Sequence, residues 1–283
     1  MNQRRNAVPI IYAGGNSGLG HMLIIRANIS GEDVRLIFDT GIGVNLISKP
    51  LCSKLKCKMD GFVIGKRMTG QDIAIPMAKV ASLQVAGQRE QNVDVGVLDL
   101  ESFLPNNGEF EGVQGYLSLG FFKDRPFTVD YKNGHLFFES KTSLKERIEE
   151  SEEVQMSMKQ EGHVLTVQVP VKTQIQKIFN MQLDLGTNIM TINSKFAGVF
   201  RPYFEKNTLK KEVITDETDF RRKRFFVKLS GQVGLQAENP IFQDEPMVMF
   251  QEIIYDGIIG NDFFKNRVIT IDLPSSRLLI ERM

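Results

Sequence analysis

The 283-residue sequence has no tryptophan, only two cysteines and only three histidines. Cys52 and Cys57 cannot build a disulfide framework, lack zinc-site spacing and do not form a Cys-x-x-Cys redox pair, so they read as small apolar residues. His21, His135 and His163 are scattered, with no pair four residues apart, which argues against a multi-histidine metal centre. No window approaches the roughly 18 apolar residues of a membrane span. Charge of one sign is missing too: 35 Lys and Arg face 34 Asp and Glu, a formal net charge of +1. That balance removes any global electrostatic case for nucleic acid or an anionic membrane as partner.

What remains is ordinary globular material. Hydrophobic residues make up 42% and charged residues 24%, too apolar a mixture for disorder. At roughly 150 residues per domain the length suggests about two domains. Twelve methionines without tryptophan point to a core filled by adaptable side chains. The apolar patch Val8 to Ala13 is too short for a signal-peptide core. The chain as written therefore reads as cytoplasmic, or as extracytoplasmic if a signal was removed.

The sequence repeats itself. GYLSLGFFKDRPFTVD (115–130) and GIIGNDFFKNRVITID (257–272) share seven of sixteen ungapped positions at an offset of 142. The identical pairs include Phe121, Phe122, Thr128 and Asp130 against Phe263, Phe264, Thr270 and Asp272. Upstream, LIFDTGIGVNLIS (36–48) parallels MQLDLGTNIMTIN (181–193) at an offset of 145. This order, kept twice, reads as a tandem duplication. It predicts an N-terminal segment (1–20), a first lobe (21–140), a connector (141–160) and a second lobe (161–283). The connector, KTSLKERIEESEEVQMSMKQE, reads as solvated with a helical stretch, because Leu144 and Ile148 share a helix face.

Each lobe reads as β. HMLIIRANI, VRLIF, KVASLQVAG, NVDVGVLDL and FTVDY alternate between turn residues, and HVLTVQVPV, RFFVKLSGQVGL and VITIDL do so in the second half. YKNGHLFF carries an Asn-Gly hairpin signal. SKPLCSKLKC predicts a short helix with Pro50 near its start. The Phe-Phe pairs belong in the core.

Asp-x-Gly stands at matching places in the two halves, at Asp39 and Asp184, where a strand ends and glycine lets the backbone turn. Brought together across a pseudo-two-fold axis, two carboxylates about 3 Å apart share one proton. One member can take a proton from water while the other protonates a carbonyl oxygen, which is amide hydrolysis without cofactor or metal. The pair titrates as a unit.

IFDTGIGVNLIS resembles the active-site motif of the aspartic proteases, the pepsin and retropepsin superfamily. GYLSLGFF and DGIIGNDFF resemble its apolar-apolar-Gly motif, and NVDVGVLDL is similar to bacterial retropepsin-like domains. The resemblance covers roughly residues 20–280. It implies an all-β fold of two homologous retropepsin-like β-barrel lobes related by a pseudo-two-fold, with the active-site cleft between them. It also implies an aspartic endopeptidase with Asp39 and Asp184 as the catalytic pair and Thr40, Gly41, Gly186 and Thr187 supporting the loops. The substrate would be an extended peptide or protein segment, and the chain a monomer without cofactor. A substrate flap is expected at Met68, Thr69, Gly70 and Gln71, and a second within VITDETDFRRKRF.

Three positions depart from the family pattern. Ile42 stands where a second hydroxyl is usual, Leu185 replaces the Thr that locks the dyad, and Ser118 replaces the Gly found at Gly260. They bear on efficiency more than on fold. The alternative reading is a catalytically weak or inactive peptide-binding module on the same scaffold. The run Arg221 to Arg224 reads as a solvated element balanced by Asp216, Glu217 and Asp219. Nucleic-acid binding is only a foil for it, and a preference for acidic substrate side chains is a further reading.

Overall fold

A computed structural model describes residues 6–14, 21–100, 104, 108–162, 164–215 and 221–282. The chain is mostly β, in two lobes of like element order that share a third sheet. In the first lobe the strands Met22–Ile29, Glu32–Phe38, Val113–Leu117, Leu46–Ser48, Gln88–Leu98 and Asp72–Val85 pair in that order. Asp72–Val85 then returns to Met22–Ile29, closing a barrel. Closure lets the alternating side chains fill one interior, and Leu23, Ile25, Leu36 and Phe38 are fully enclosed there.

The second lobe repeats the order with its long strands broken. Where the first lobe has Asp72–Val85, the second has Arg221–Lys228 and Gln232–Leu235. Where the first has Gln88–Leu98, the second has Ile241–Asp244 and Met247–Gln251. One break falls at Pro246, which has no N–H for the ladder, beside Glu245 at φ 44°.

The shared sheet runs Val8–Pro9, His135–Phe138, Phe127–Asp130, Val268–Asp272, Arg277–Glu281, Ser151–Gln155. At its centre Thr128 pairs with Thr270, its own counterpart in the repeat, and their hydroxyls meet at 2.6 Å. The pseudo-two-fold passes through this pair. The repeated Asp130 and Asp272 are buried turn caps: Asp130 accepts from the Asn133 N–H (2.9 Å) and Asp272 from Arg277 Nε (2.8 Å).

The local signals have physical outcomes. Ser48 caps the helix Lys49–Lys54 with Pro50 in its first turn. The Asn-Gly turn joins Phe127–Asp130 to His135–Phe138, with Gly134 at φ 67°. Residues 141–160, expected as a solvated connector, form the helix Lys141–Glu150, the strand Ser151–Gln155 and most of Ser157–Glu161. Val154 of that segment is fully buried in the shared sheet. The N-terminal segment likewise supplies Val8–Pro9 and Ile11–Ala13, while residues 1–5 and 15–20 and His163 lie outside the described residues.

Both Phe-Phe pairs are buried. Methionine fills less of the core than its abundance suggests: Met59, Met158 and Met247 are exposed, and Val, Ile, Leu and Phe dominate the interior. Cys52 and Cys57 are free thiols side by side. Burial, with a hydrogen bond donated to Cys52, pushes the Cys57 thiol up to about 12. Among the described residues no helix is long and apolar enough to cross a membrane.

Candidate active site

Each Asp-x-Gly begins where a strand pairs in parallel with its apolar-apolar partner. Glu32–Phe38 lies beside Val113–Leu117, and the Asp39 N–H donates to the Leu117 carbonyl at 3.0 Å. Ile178–Leu183 lies beside Gly257–Ile259, and the Asp184 N–H donates to the Ile259 carbonyl at the same 3.0 Å. Two equivalent backbone anchors thus bring the carboxyls face to face on the cleft floor, where both stay half-buried.

The glycines follow from that approach. A Cβ on Gly41 would strike the Asp184 carboxyl, and one on Gly186 would strike the Asp39 carboxyl. Each loop therefore leaves room for the opposite lobe's acid. The Gly41 and Ile42 N–H groups donate to Asp39 Oδ1 at 2.8 and 3.1 Å. Asp184 Oδ1 accepts from the Gly186 N–H at 2.9 Å.

Backbone N–H groups reach both acids, since the Gly41 N–H acts on Asp184 as well as on Asp39. Burial, then the charge on Asp39, pushes Asp184 well above the usual carboxylate range. Burial raises Asp39 as well, but the Gly41 and Ile42 N–H groups draw it back. Both carboxyls are raised and titrate as one unit. The charge on Asp39 adds to burial in raising the Tyr116 phenol, and the charge on Asp184 does the same at Tyr255.

The lock between the loops is one-sided. Thr40, fully buried, donates its hydroxyl to the Leu183 carbonyl and accepts from the Leu185 N–H, both at 2.8 Å. Leu185 returns no such bond and is buried in the main core cluster. Its carbonyl is held by Asn261 Nδ2 at 2.6 Å, and the hydroxyl of the half-buried Tyr131 donates to Asn261 Oδ1 at 2.5 Å. Sequence reasoning missed Asn261 and Tyr131. The signal was present, since Asn261 occupies the repeat position of apolar Leu119. Thr187 acts through its backbone, its carbonyl accepting from the Asn261 N–H at 2.8 Å.

The departure at Ser118 has a local cause. In the second lobe a Cβ on Gly260 would meet the carbonyl oxygens of Thr187 and Asn188 at 2.5 and 2.7 Å. In the first lobe Ser118 fits, and its N–H and hydroxyl both bond Asn45 Oδ1, at 2.9 and 3.1 Å.

Met68, Thr69, Gly70 and Gln71 form the turn of the hairpin Lys58–Lys66/Asp72–Val85. The turn closes through the Gly70 N–H to the Arg67 carbonyl at 2.8 Å, with the Lys66–Asp72 ion pair (2.6 Å) at its base. Its tip touches the other lobe, the Ile254 N–H donating to the Met68 carbonyl at 2.8 Å. The second lobe carries the hairpin Lys210–Thr215/Arg221–Lys228 at the equivalent place. The tip of that expected second flap, with Asp216, Glu217 and Asp219, lies outside the described residues. Arg224 is instead balanced within the hairpin by Glu212, at 2.9 and 3.1 Å. Among the described residues no three His, Cys, Asp or Glu side chains cluster as metal ligands would.

Residues 25–121 match the aspartyl protease family. The basic 7S globulin from soybean is similar over 97% of this chain and 93% of its own, with TM-score 0.59 and 12% identity. Conglutin gamma, a basic 7S globulin from lupine seeds, is similar over 98% and 94%, with TM-score 0.57 and 11% identity. The protein edgp is similar over 99% and 95%, with TM-score 0.57 and 10% identity. No curated protein matches the chain by sequence. At such identities the structural likeness establishes the fold, and it spans both lobes. The first lobe is thus similar to the aspartyl protease family over residues 25–121, and the chain shares a two-lobed pepsin-like fold over its length.

Proposed function

We propose that the protein is an aspartic endopeptidase that hydrolyses peptide bonds by activating one water between Asp39 and Asp184. The observation that carries this reading is the reciprocal fit of the loops, Gly41 against the Asp184 carboxyl and Gly186 against the Asp39 carboxyl. Asp39, steadied as an anion by two N–H donors, takes the proton from the water. Asp184 gives its proton to the carbonyl oxygen of the scissile amide, and general acid–base work of this kind contributes about 10²–10⁴-fold in rate. Thr40 holds the two loops in register. The peptide lies extended beneath the Met68–Gln71 turn, with main-chain hydrogen bonds to the hairpin. Both acids come from one chain, so the working unit is a monomer. The like element order of the lobes supports a tandem duplication.

The second reading, a peptide-binding module without turnover, is favoured by one observation. Leu185 supplies no hydroxyl, so the loop lock is single. Turnover of a diverse peptide library from about pH 3 to pH 8, beside Asp184→Asn, separates the two, since that range brackets the shared-proton window of such dyads. Cleavage abolished in the variant supports the peptidase. Binding without cleavage at any pH, by folded protein, supports the module.

A further inference from the structure

The two hairpins present opposite chemistry to the cleft from equivalent positions. Ile47 pairs with Gly115 and Ile192 with Gly257, and these glycines are repeat counterparts. One strand outward, Val97 lies beside Ile47 and Phe250 beside Ile192, which makes Leu98 and Gln251 equivalent. Continuing outward through the pairings, Ile75 corresponds to Arg224, Ile73 to Arg222 and Val63 to Glu212. The first-lobe set is an apolar cluster with Val44, Leu46 and Met77. It reaches the dyad through Ile42, whose N–H bonds Asp39.

The second-lobe set lines a groove of about 700 Å³, whose rim includes Thr69 of the first-lobe turn. Among the described residues five basic side chains line it (Lys211, Arg221, Arg222, Lys223 and Arg224) against two acidic ones, Glu212 and Glu252. Glu212 is already engaged by Arg224. Gln251 is 1% exposed, and neither its amide nitrogen nor its amide oxygen has a partner. A buried amide in that state is costly unless something arrives to bond it.

We propose that this groove is a subsite for an acidic side chain, Asp or Glu, of the peptide, while the first lobe takes an apolar one. The proposal rests on the peptidase reading for the peptide itself. A carboxylate there accepts from the Gln251 amide and the Arg222 guanidinium, and such charge-assisted bonds are roughly twice as strong as neutral ones.

The test uses paired peptides with Phe beside Glu or beside its isostere Gln, in both orders. Cleavage is followed with the unmodified protein, and binding with Asp184→Asn. The Glu peptide is expected to bind and be cut about tenfold or more better than its Gln twin, in one order, with the gap narrowing at high salt. Replacing Arg222→Ile and Gln251→Leu, the first-lobe residues, should reverse the preference toward apolar side chains, and Arg222→Gln alone should weaken it. Equal handling of Glu and Gln twins, with cleavage intact, overturns the subsite and leaves the peptidase standing. Selective binding of the Glu peptide without cleavage overturns the peptidase and keeps the subsite. Neither binding nor cleavage overturns both.

Discussion

The two lobes agree in backbone and differ in side chains. The Asp39 and Asp184 N–H groups are anchored identically, and each loop glycine yields to the opposite carboxyl. Yet Thr40 bonds across to the second lobe while Leu185 is core, and Ser118 bonds Asn45 where Gly260 admits no side chain at all. The first barrel closes through unbroken long strands; the second closes through strands that are each interrupted, one of them at Pro246. A dyad needs symmetric placement of two acids, and the backbone supplies it.

The comparison can be broken hardest at the acids. Asp184→Asn is expected to lower kcat about 10³-fold or more, within the range for loss of an acid–base group, measured as peptide turnover. The same variant should be more stable at neutral pH. Both carboxyls titrate higher when folded than unfolded, so their stabilising contribution is complete below the unfolded value and is lost as pH rises through the folded one. The melting-temperature gain of Asp184→Asn should therefore be small at acid pH and widen toward neutrality.

Gly186→Ala comes next. The new methyl drives into the Asp39 carboxyl, and about 1–3 kcal/mol of stability should be lost with most of the turnover, read by denaturant unfolding and kinetics. Thr40→Val keeps the shape but strands the Leu183 carbonyl and the Leu185 N–H in the interior. The expected cost is about 1–3 kcal/mol for each unsatisfied group. Leu185→Thr sharpens the same comparison: turnover should rise through a second lock, while stability changes by about 1 kcal/mol or less, because lost apolar burial offsets new bonds. Ser118→Gly should cost about 1 kcal/mol for its bond to Asn45. The converse, Gly260→Ser, should cost more, because it collides with the Thr187 and Asn188 carbonyls.

Much of this was legible in the chain. The repeat placed Asp39 and Asp184 as counterparts, strand alternation gave the β class, and the Gly-Phe-Phe segments led to the supporting strands. The flap expected at Met68 to Gln71 came from the family resemblance, and the hairpin turn lies there. Other features depend on partners far away in sequence. The Arg224–Glu212 pairing requires a hairpin register that period-two alternation does not specify. The Asn261–Tyr131 bond joins residues 130 apart. The charged run at 141–160 hid the alternation of Val154 and Met156, which bury into the shared sheet and its neighbouring core.

The Thr128–Thr270 pair has a consequence for how the molecule holds its working distance. Each half of the chain supplies three strands to that sheet and would, alone, end in an open edge at the central strand. Neither half is a finished object, and the spacing of the two acids is set from beneath, as the footings of an arch fix its span. A single cut in the Lys141–Glu150 helix should therefore leave the halves clasped, the cleft unaltered, and the two fragments separable only by denaturant.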